Sequence, residues 1–344
     1  NIKFLRVNIL SVAYLVCLLP SIAVMPDVPF GSFRMMVSGN LSGPLCLFIC
    51  FLYFRQRIFY EENIINVFKA LILPIISLIG LIFIRAPSIQ NLSFSSEANF
   101  QMSAGFGPNQ VSTLLGASLI IISISKTFDL KIFSKSIYDY LFLSISIGIA
   151  LLTFARGGVI APLIAISFSY IVSGGVRKYK IQYKGAFYLI LILLGLIYFS
   201  SNFTKGLINT RYASLFSVLS PQQNKLSGRA KIMAIDFEIF KDNLFLGVGP
   251  GAARDLRWSY GYGTYVGAHS EFTRMLAEHG MFGCISLFSI LLLSYQEYRR
   301  RIDYNRVFLG CISLFGILTM FHSAFRIALP GFFYGLSYII LSLR

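Results

Sequence analysis

Long apolar runs, separated by short charged segments, recur along this 344-residue chain and restrict its fold more than any single motif does. Only 13% of the residues are charged, whereas 56% are hydrophobic. A water-soluble domain of this length needs far more charge to cover its surface. The pattern therefore predicts an all-α integral membrane protein, in which lipid-facing helices explain the abundance of phenylalanine and tyrosine.

The apolar runs predict about ten transmembrane helices, because a helix needs about 20 apolar residues to cross the hydrocarbon core. The first run is predicted to be a retained helix and not a cleaved signal peptide. The predicted spans lie near residues 7–25, 41–54, 64–84, 109–125, 138–155, 157–173, 186–201, 280–295, 307–321 and 327–343.

Basic residues are concentrated in every second connection between the predicted spans. They occur around residues 55–57, 126–135, 177–184 and 299–306, whereas the other short connections contain few. The positive-inside rule places these basic connections and both termini in the cytoplasm. Because this topology explains much of the net charge of +16, we do not predict nucleic-acid binding.

One long connection is left on the outer face, and it is predicted to be partly helical. The sequence thus predicts three parts: a transmembrane bundle of about seven spans over residues 1–200, a periplasmic catalytic loop over 201–279, and about three C-terminal spans over 280–344. Apart from Lys69 and Asp139, near span ends, the spans contain almost no ionisable residue. This argues against an ion-coupled transporter.

No metal or cofactor site is predicted from the sequence. The five cysteines lie inside apolar runs and form no cluster of metal ligands. The turn Gly247–Gly251 lacks the lysine of a phosphate-binding loop, which argues against nucleotide binding.

Two short outer connections contain polar residues that suit either structure or function. Asn109 follows Gly107 and Pro108 at the start of the fourth span, where an ordinary helix start and an anion-binding helix terminus are both possible. Arg156 lies in the tight connection after Leu152. Its side chain either extends to the lipid headgroups or faces a lipid diphosphate.

The long connection contains two predicted helices. The first, residues 229–245, begins at Arg229 and is expected either on the membrane surface or against the bundle. The second, residues 268–280, is predicted to end at Gly280 as a C-cap, just before the eighth span. Within it, Arg274 has helical spacing from one glutamate on each side, so these side chains are able to pair with each other. His269, at its start, has either a structural or a functional role.

Taken in order, these motifs resemble the bacterial O-antigen ligase and O-antigen polymerase superfamily over about half of the chain, residues 105–285. The segments that carry the resemblance are Gly107-Pro108-Asn109, Leu152 to Gly157, Ser227-Gly228-Arg229, Gly247 to Gly251, and His269-Ser270-Glu271 continuing to Glu278-His279-Gly280.

The resemblance implies a GT-C-like bundle in the bacterial inner (cytoplasmic) membrane, with its active site facing the periplasm. It also implies metal-independent transfer, without a cofactor, of a glycan from an undecaprenyl-diphosphate-linked donor to a hydroxyl group. For a ligase the acceptor is lipid A–core, and for a polymerase it is a carrier-linked glycan. The other expected partners are membrane lipids.

The resemblance also assigns roles to particular residues. It implies that Arg156 and Arg229 bind the diphosphate and that His269 is catalytic, although this chain has Ala155 where the family usually has serine. Arginine binds phosphate oxygens bidentately, and an imidazole accepts a proton near neutral pH. Glu271 is expected to act as an alternative base or an orienting partner. Possible substrate-binding residues are Asn109, Arg254, Arg257, Arg274, His322 and Arg326.

Three functions remain open at this stage. The first is a glycan transferase of the ligase type, with the polymerase as its alternative. The second is a flippase or transporter for lipid-linked glycans, and the third is a membrane scaffold without enzymatic activity. Arg156, Arg229 and His269 are expected to meet in one outward-facing cavity only if the chain is a transferase.

Overall fold

The computed structural model describes residues 8–87, 94, 98–173, 183–213, 228–263, 265, 267–323 and 327–343, and these residues are predominantly helical. Five of the described helices are long and apolar enough to cross a membrane: Phe30–Phe54, Glu61–Arg85, Pro108–Thr127, Glu271–Arg300 and Asp303–His322. The prediction of a helical, multi-pass membrane protein is therefore confirmed. The number of ten spans and the periplasmic loop stay predictions.

The described α-helices are, in chain order, α1 (Ile9–Val16), α2 (Phe30–Phe54), α3 (Glu61–Arg85), α4 (Pro108–Thr127), α5 (Ser136–Leu152), α6 (Gly157–Ser173), α7 (Tyr183–Phe203), α8 (Leu207–Ala213), α9 (Gly228–Asp242), α10 (Ala253–Arg257), α11 (Glu271–Arg300), α12 (Asp303–Ser323) and α13 (Leu329–Leu336). A short 3₁₀ helix, Pro20–Val24, follows α1, and a π-helical turn, Trp258–Tyr262, follows α10. Two short strands are β1 (Ile58–Tyr60) and β2 (Ile340–Ser342).

Three of the predicted spans differ clearly from the observed elements. The first, near 7–25, is divided into α1 and the 3₁₀ helix Pro20–Val24. The second was predicted near 41–54, but α2 begins at Phe30. The polar pair Gly39-Asn40 therefore lies inside the helix and not before it. The last was predicted near 327–343. It consists of the short helix α13 followed by strand β2, which pairs in parallel with β1.

Local sequence signals explain where the long helices begin. The backbone N–H of Tyr60 donates to the Asn63 side chain at 3.0 Å, and Glu61 and Glu62 lie in the first turn of α3. Acidic side chains there interact favourably with the helix dipole. In α4, Pro108 occupies the first turn, where its missing N–H costs no helical hydrogen bond.

The contacts divide the chain into two units. Unit 1 comprises Asn1–Arg57, Asn224–Ile302 and Ile312–Ile339. Unit 2 comprises Ile58–Gln223, Asp303–Cys311 and Ile340–Arg344.

In unit 1, α11 is the element against which the others are arranged. Helix α1 packs on it from one part of the chain and α9 from another, while α13 packs on α2. A small apolar core joins α9 to α11 and includes Ile235, Ile239 and Ala277. The Ser286 hydroxyl donates to the Tyr14 carbonyl at 2.6 Å, which ties α11 to α1.

In unit 2, α4 packs between α5 and α6. A side chain at Gly158 would overlap Ser112 of α4, since an added Cβ would lie 2.0 Å from the Ser112 hydroxyl oxygen. Glycine is therefore needed at this close approach of α4 and α6. Lys126 and Asp139 form an ion pair between α4 and α5.

Candidate active site

Helix α11 contains a break at Gly280 that organises the surrounding residues. Gly280 has a φ of 58° and a ψ of −138°, which are not helical values. We predicted that the helix ends at this glycine. It is broken there but continues to Arg300, because the chain leaves the helical conformation for one residue only.

The break leaves backbone groups that are paired by the glycine-rich turn before it. The N–H of Val248 donates to the Ala277 carbonyl at 3.1 Å, and the N–H of Gly249 donates to the Glu278 carbonyl at 3.0 Å. On the other side of the break, the N–H of Met281 donates to the Leu244 carbonyl at 2.7 Å. Buried backbone groups at helix ends need such partners. These hydrogen bonds therefore join the segment 244–249 to the break in α11.

Glycine is required at the break itself. A Cβ at Gly280 would lie 2.5 Å from the Leu244 carbonyl oxygen and 2.7 Å from the Gly247 nitrogen. No side chain fits at these distances, and the positive φ also disfavours other residues.

The first turns of α11 place one arginine between two buried glutamates. The Arg274 guanidinium donates to both carboxylate oxygens of Glu271, with an Nε–Oε2 distance of 3.0 Å, and its Nη1 donates to Glu278 at 2.5 Å. The Glu271 and Glu278 side chains are 0% and 3% exposed. The predicted pairing along the helix is therefore present, and it is buried inside the protein.

Asn40 of α2 completes this cluster. Its side-chain oxygen accepts a hydrogen bond from Arg274 Nη1 at 2.9 Å, and its backbone carbonyl accepts one from Nη2 at 3.4 Å. Its amide nitrogen donates to the Met36 carbonyl at 2.8 Å, which fixes the orientation of the side chain. Sequence reasoning missed Asn40, because it was placed before a span and not inside a helix.

Arg257 forms a second buried ion pair beside the first. Its Nε donates to Asp236 of α9 at 2.6 Å, and the two side chains are 1% and 0% exposed. The Thr273 hydroxyl donates to the other Asp236 oxygen at 2.8 Å. Asp236 and Thr273 were not among the predicted site residues. In this geometry the Asp236 carboxylate connects α9 to both α10 and α11.

A cavity of about 140 Å³ lies between these ion pairs. Its lining residues are Gly39, Asn40, Gly251, Arg254, Arg257, Gly267, Ala268, Glu271, Arg274 and Glu278. Four of the predicted site residues thus line one cavity. Arg254 is an exposed cation on this cavity, while the other two arginines are paired with carboxylates. The cavity therefore offers both hydrogen-bond acceptors and a solvent-accessible positive charge.

Three other predicted residues of unit 1 lie near the ends of helices. His269 is half-buried in a bend, next to Ala268 of the cavity wall. Arg229 is half-buried at the start of α9, within range of electrostatic interaction with His322 near the end of α12. The rings of Phe272 and Phe321 stack with centroids 4.0 Å apart, which brings the start of α11 to the end of α12.

Asn109 and Arg156 belong to unit 2, where α4 and α6 bring their segments together. The Ser112 hydroxyl donates to the Ala155 carbonyl at 2.9 Å, so the start of α4 lies beside the connection that carries Arg156. Both Asn109 and Arg156 are half-buried. Arg326, and Ser227 of the family-like motif, lie outside the described residues.

His279 is a buried residue to which sequence reasoning gave no role. It is 0% exposed, and its Nδ1 lies 2.6 Å from the Ser21 hydroxyl oxygen. The Ser21 hydroxyl also donates to the Leu18 carbonyl at 3.0 Å. No side-chain spacing predicts this pair, whose members are far apart in the sequence.

The aromatic stretch after α10 has a defined polar contact. The Tyr260 hydroxyl donates to Asp242 at 2.7 Å, and this hydrogen bond to a carboxylate raises the pKa of Tyr260. Within the described parts of the chain, no group of three or more His, Cys, Asp or Glu side chains is placed to hold a metal ion. Metal independence itself stays a prediction.

Comparison with known proteins supports the resemblance found in the motifs. Residues 141–288 match a family model described as O-antigen ligase. This segment contains Arg156, Arg229, His269 and the α11 cluster, whereas Asn109 and His322 lie outside it. No curated protein matches the chain significantly. The predicted relationship is thus confirmed, since the match over residues 141–288 supports the O-antigen ligase and polymerase superfamily.

Proposed function

We propose that this chain is a metal-independent glycosyltransferase that moves a glycan from undecaprenyl diphosphate to an acceptor hydroxyl at the periplasmic face of the inner membrane. The observation that carries the proposal is the cavity that is lined mainly by the family segment. It has buried carboxylates, an exposed Arg254 and His269 directly after its wall residue Ala268. The proposed acceptor is lipid A–core, as for an O-antigen ligase.

His269 is proposed to accept the proton of the acceptor hydroxyl. The acceptor oxygen then attacks the anomeric carbon of the donor sugar while the bond from that carbon to the diphosphate oxygen breaks. The electron pair leaves with undecaprenyl diphosphate, and the proton stays on the imidazole until it passes to solvent. An imidazole suits this role because it is able to exchange a proton near neutral pH.

Arg156 and Arg229 are proposed to bind the diphosphate and to stabilise the negative charge that increases as it departs. A guanidinium binds phosphate oxygens bidentately and stays charged at any physiological pH. The half-buried positions of both residues support this role, because partial removal of water strengthens the interaction with an anion.

Glu271 is proposed to orient the acceptor and not to act as a free base. Both of its carboxylate oxygens already accept hydrogen bonds from Arg274. Carboxylates held in this way still have lone pairs for sugar hydroxyls, and so does the side-chain oxygen of Asn40. Arg254 and Arg257 are proposed substrate-binding residues on the same cavity, and Asn109, His322 and Arg326 are proposed to bind elsewhere along the substrate.

Glycan transfer in membranes that carry either the wild-type chain or His269→Ala tests this function. A defined undecaprenyl-diphosphate-linked donor is supplied with either lipid A–core or a carrier-linked glycan as acceptor. The general base contributes about 10²–10⁴-fold to such reactions, so His269→Ala is expected to lose transfer by at least about a hundredfold. Ser259→Ala is the matched control, because this exposed hydroxyl contacts only the Leu256 carbonyl.

The acceptor that is used decides between the two transferases. Transfer to lipid A–core supports the ligase, and lengthening of carrier-linked repeats supports an O-antigen or exopolysaccharide polymerase instead. Full activity of His269→Ala at equal expression contradicts the proposed mechanism. If the wild type transfers to neither acceptor but moves labelled donor across the bilayer, the chain is a flippase.

A further inference from the structure

Helix α9 has one apolar face that is covered by protein. Ile232, Ile235 and Ile239 are at most 4% exposed, and the last two pack in a core with Ala277 of α11. This face explains why α9 docks on α11. Other side chains of the helix, among them Met233 and Phe237, are exposed.

A second apolar stripe on α9 is not covered in this way. Met233, Phe237 and Phe240 follow one another at helical spacings of four and three residues, so they project from one side of the helix. Met233 is 39% exposed and Phe237 is 50% exposed. Two more exposed apolar residues, Leu244 and Phe245, follow directly after the helix. Large apolar side chains exposed in a row mark an interaction surface.

This stripe continues into an exposed apolar stripe on α11. The Leu244 carbonyl accepts a hydrogen bond from the N–H of Met281 at 2.7 Å, so the end of one stripe adjoins the start of the other. On α11 the stripe runs through Met281, Ile285 and Phe288, which are 47%, 45% and 63% exposed. Since α11 is a candidate membrane span, this face of α11 is apolar enough to contact lipid.

The length of α11 indicates where α9 lies along the membrane normal. Its 30 residues correspond to about 45 Å of helix, compared with about 30 Å for the hydrocarbon core. The ionisable residues Glu271, Arg274 and Glu278 occupy the part before Gly280, while the long apolar part follows it. Helix α9 packs against that polar part, near Thr273 and Ala277, and is therefore next to the membrane boundary.

We propose that the Met233–Phe237–Phe240 stripe rests in the headgroup region of the lipid bilayer, so that α9 is an interfacial helix. Aromatic and apolar side chains on one face, flanked by cations, are typical of such helices. At 100° per residue, Arg229 and Lys241 flank the stripe, and the Lys241 ammonium lies 5.5 Å from the centre of the Phe237 ring. The exposed Lys241 ammonium suits lipid phosphates. Arg229, at the start of the helix, is the residue proposed above to bind the donor diphosphate. A protein partner bound to the stripe would not account for the exposed apolar stripe on α11, which continues from it and which lipid would cover.

Tryptophan fluorescence in nanodiscs tests this proposal directly. Trp258 is the single tryptophan of the chain, so Trp258→Phe gives a silent background. In that background we compare Phe237→Trp, on the stripe, with Glu238→Trp, which places the same probe on the polar face of α9. The nanodiscs contain lipids brominated either next to the headgroup or near the end of the acyl chain, since bromine quenches tryptophan only at close range.

The proposal predicts that the tryptophan at position 237 loses fluorescence with headgroup-proximal bromine, and less with bromine near the chain end. The tryptophan at position 238 is expected to be quenched by neither lipid. If the tryptophan at position 237 emits as in water and is not quenched, the stripe faces solvent and the proposal is wrong. Emission at short wavelength without quenching by either lipid overturns it too, because a protein surface then covers the stripe.

Discussion

Replacing Arg257 by methionine is expected to destabilise unit 1 strongly. In the folded chain Arg257 and Asp236 are 1% and 0% exposed and are joined by a hydrogen bond of 2.6 Å. Removing one partner of a buried ion pair leaves the other charge uncompensated, which costs about 3–5 kcal/mol. Only the Thr273 hydroxyl then remains bonded to the Asp236 carboxylate. The corresponding decrease in the thermal midpoint is on the order of 10 °C.

The second substitution Asp236→Leu, added to Arg257→Met, is expected to restore most of the lost stability. The double variant has no unpaired charge in this core, and the remaining cost is the Thr273 hydroxyl without its acceptor, about 1–3 kcal/mol. Buried ion pairs are often replaceable by apolar pairs at little cost, whereas single replacements are not. The two substitutions should therefore be strongly non-additive.

The assay is thermal unfolding of the purified protein in detergent, followed by the fluorescence of Trp258, which adjoins Arg257. Asp242→Asn is the control, because this exposed carboxylate accepts a hydrogen bond from the Tyr260 hydroxyl at the surface and should change stability by less than about 0.5 kcal/mol. A midpoint for Arg257→Met within error of the wild type would refute the reasoning. A double variant that is stable but inactive in glycan transfer would show that Arg257 also contacts substrate.

Two further substitutions test one contact in each unit: the hydrogen bonds of Arg274 in unit 1 and the packing at Gly158 in unit 2. Arg274→Lys keeps the charge but cannot bond both glutamates and Asn40 together, so we expect at least about a tenfold loss of transfer, equivalent to about 1.4 kcal/mol; normal transfer rates in the membrane assay would contradict this. Gly158→Ala is expected to lower the thermal midpoint through about 1–3 kcal/mol of overpacking, because its Cβ would meet a hydroxyl at 2.0 Å. Gly195→Ala is the control, because a Cβ added at Gly195 would have no described atom within 4 Å apart from neighbouring backbone of its own helix. Equal midpoints for the two variants would contradict the packing argument.

Much of the helical architecture follows from the apolar runs alone, and the exceptions have physical causes. The span predicted near 41–54 leaves out Gly39 and Asn40, and an unpaired amide is costly in lipid. In the protein, Asn40 is instead paired with Arg274 inside α2. The last apolar run indicated a tenth span. Its end forms β2 instead, which pairs with a strand more than 280 residues earlier. Such pairing could not be predicted, because it leaves no periodic signal in the sequence.

In the candidate site, contacts within one helix were predictable from the sequence, whereas contacts between distant segments were not. Pairing of Arg274 with Glu271 and Glu278 was predictable, because residues three and four apart meet on a helix. Contacts between distant segments were not, such as Arg257 with Asp236 or His279 with Ser21. Such partners depend on how helices pack, and helix packing is not encoded in the spacing of polar residues along one segment.

The hydrogen bonds at Gly280 restrict the movements that are open to α11. Three backbone bonds connect residues on both sides of the break to the segment 244–249. Sliding of α11 along its own axis relative to that segment would break all three at once. The two backbones also approach closely, since an added Cβ at Gly280 would lie 2.5 Å from the Leu244 carbonyl oxygen. Within unit 1, we therefore expect α11 and the segment 244–249 to move together. On the function proposed above, entry of the lipid-linked substrate is then expected to depend on other elements.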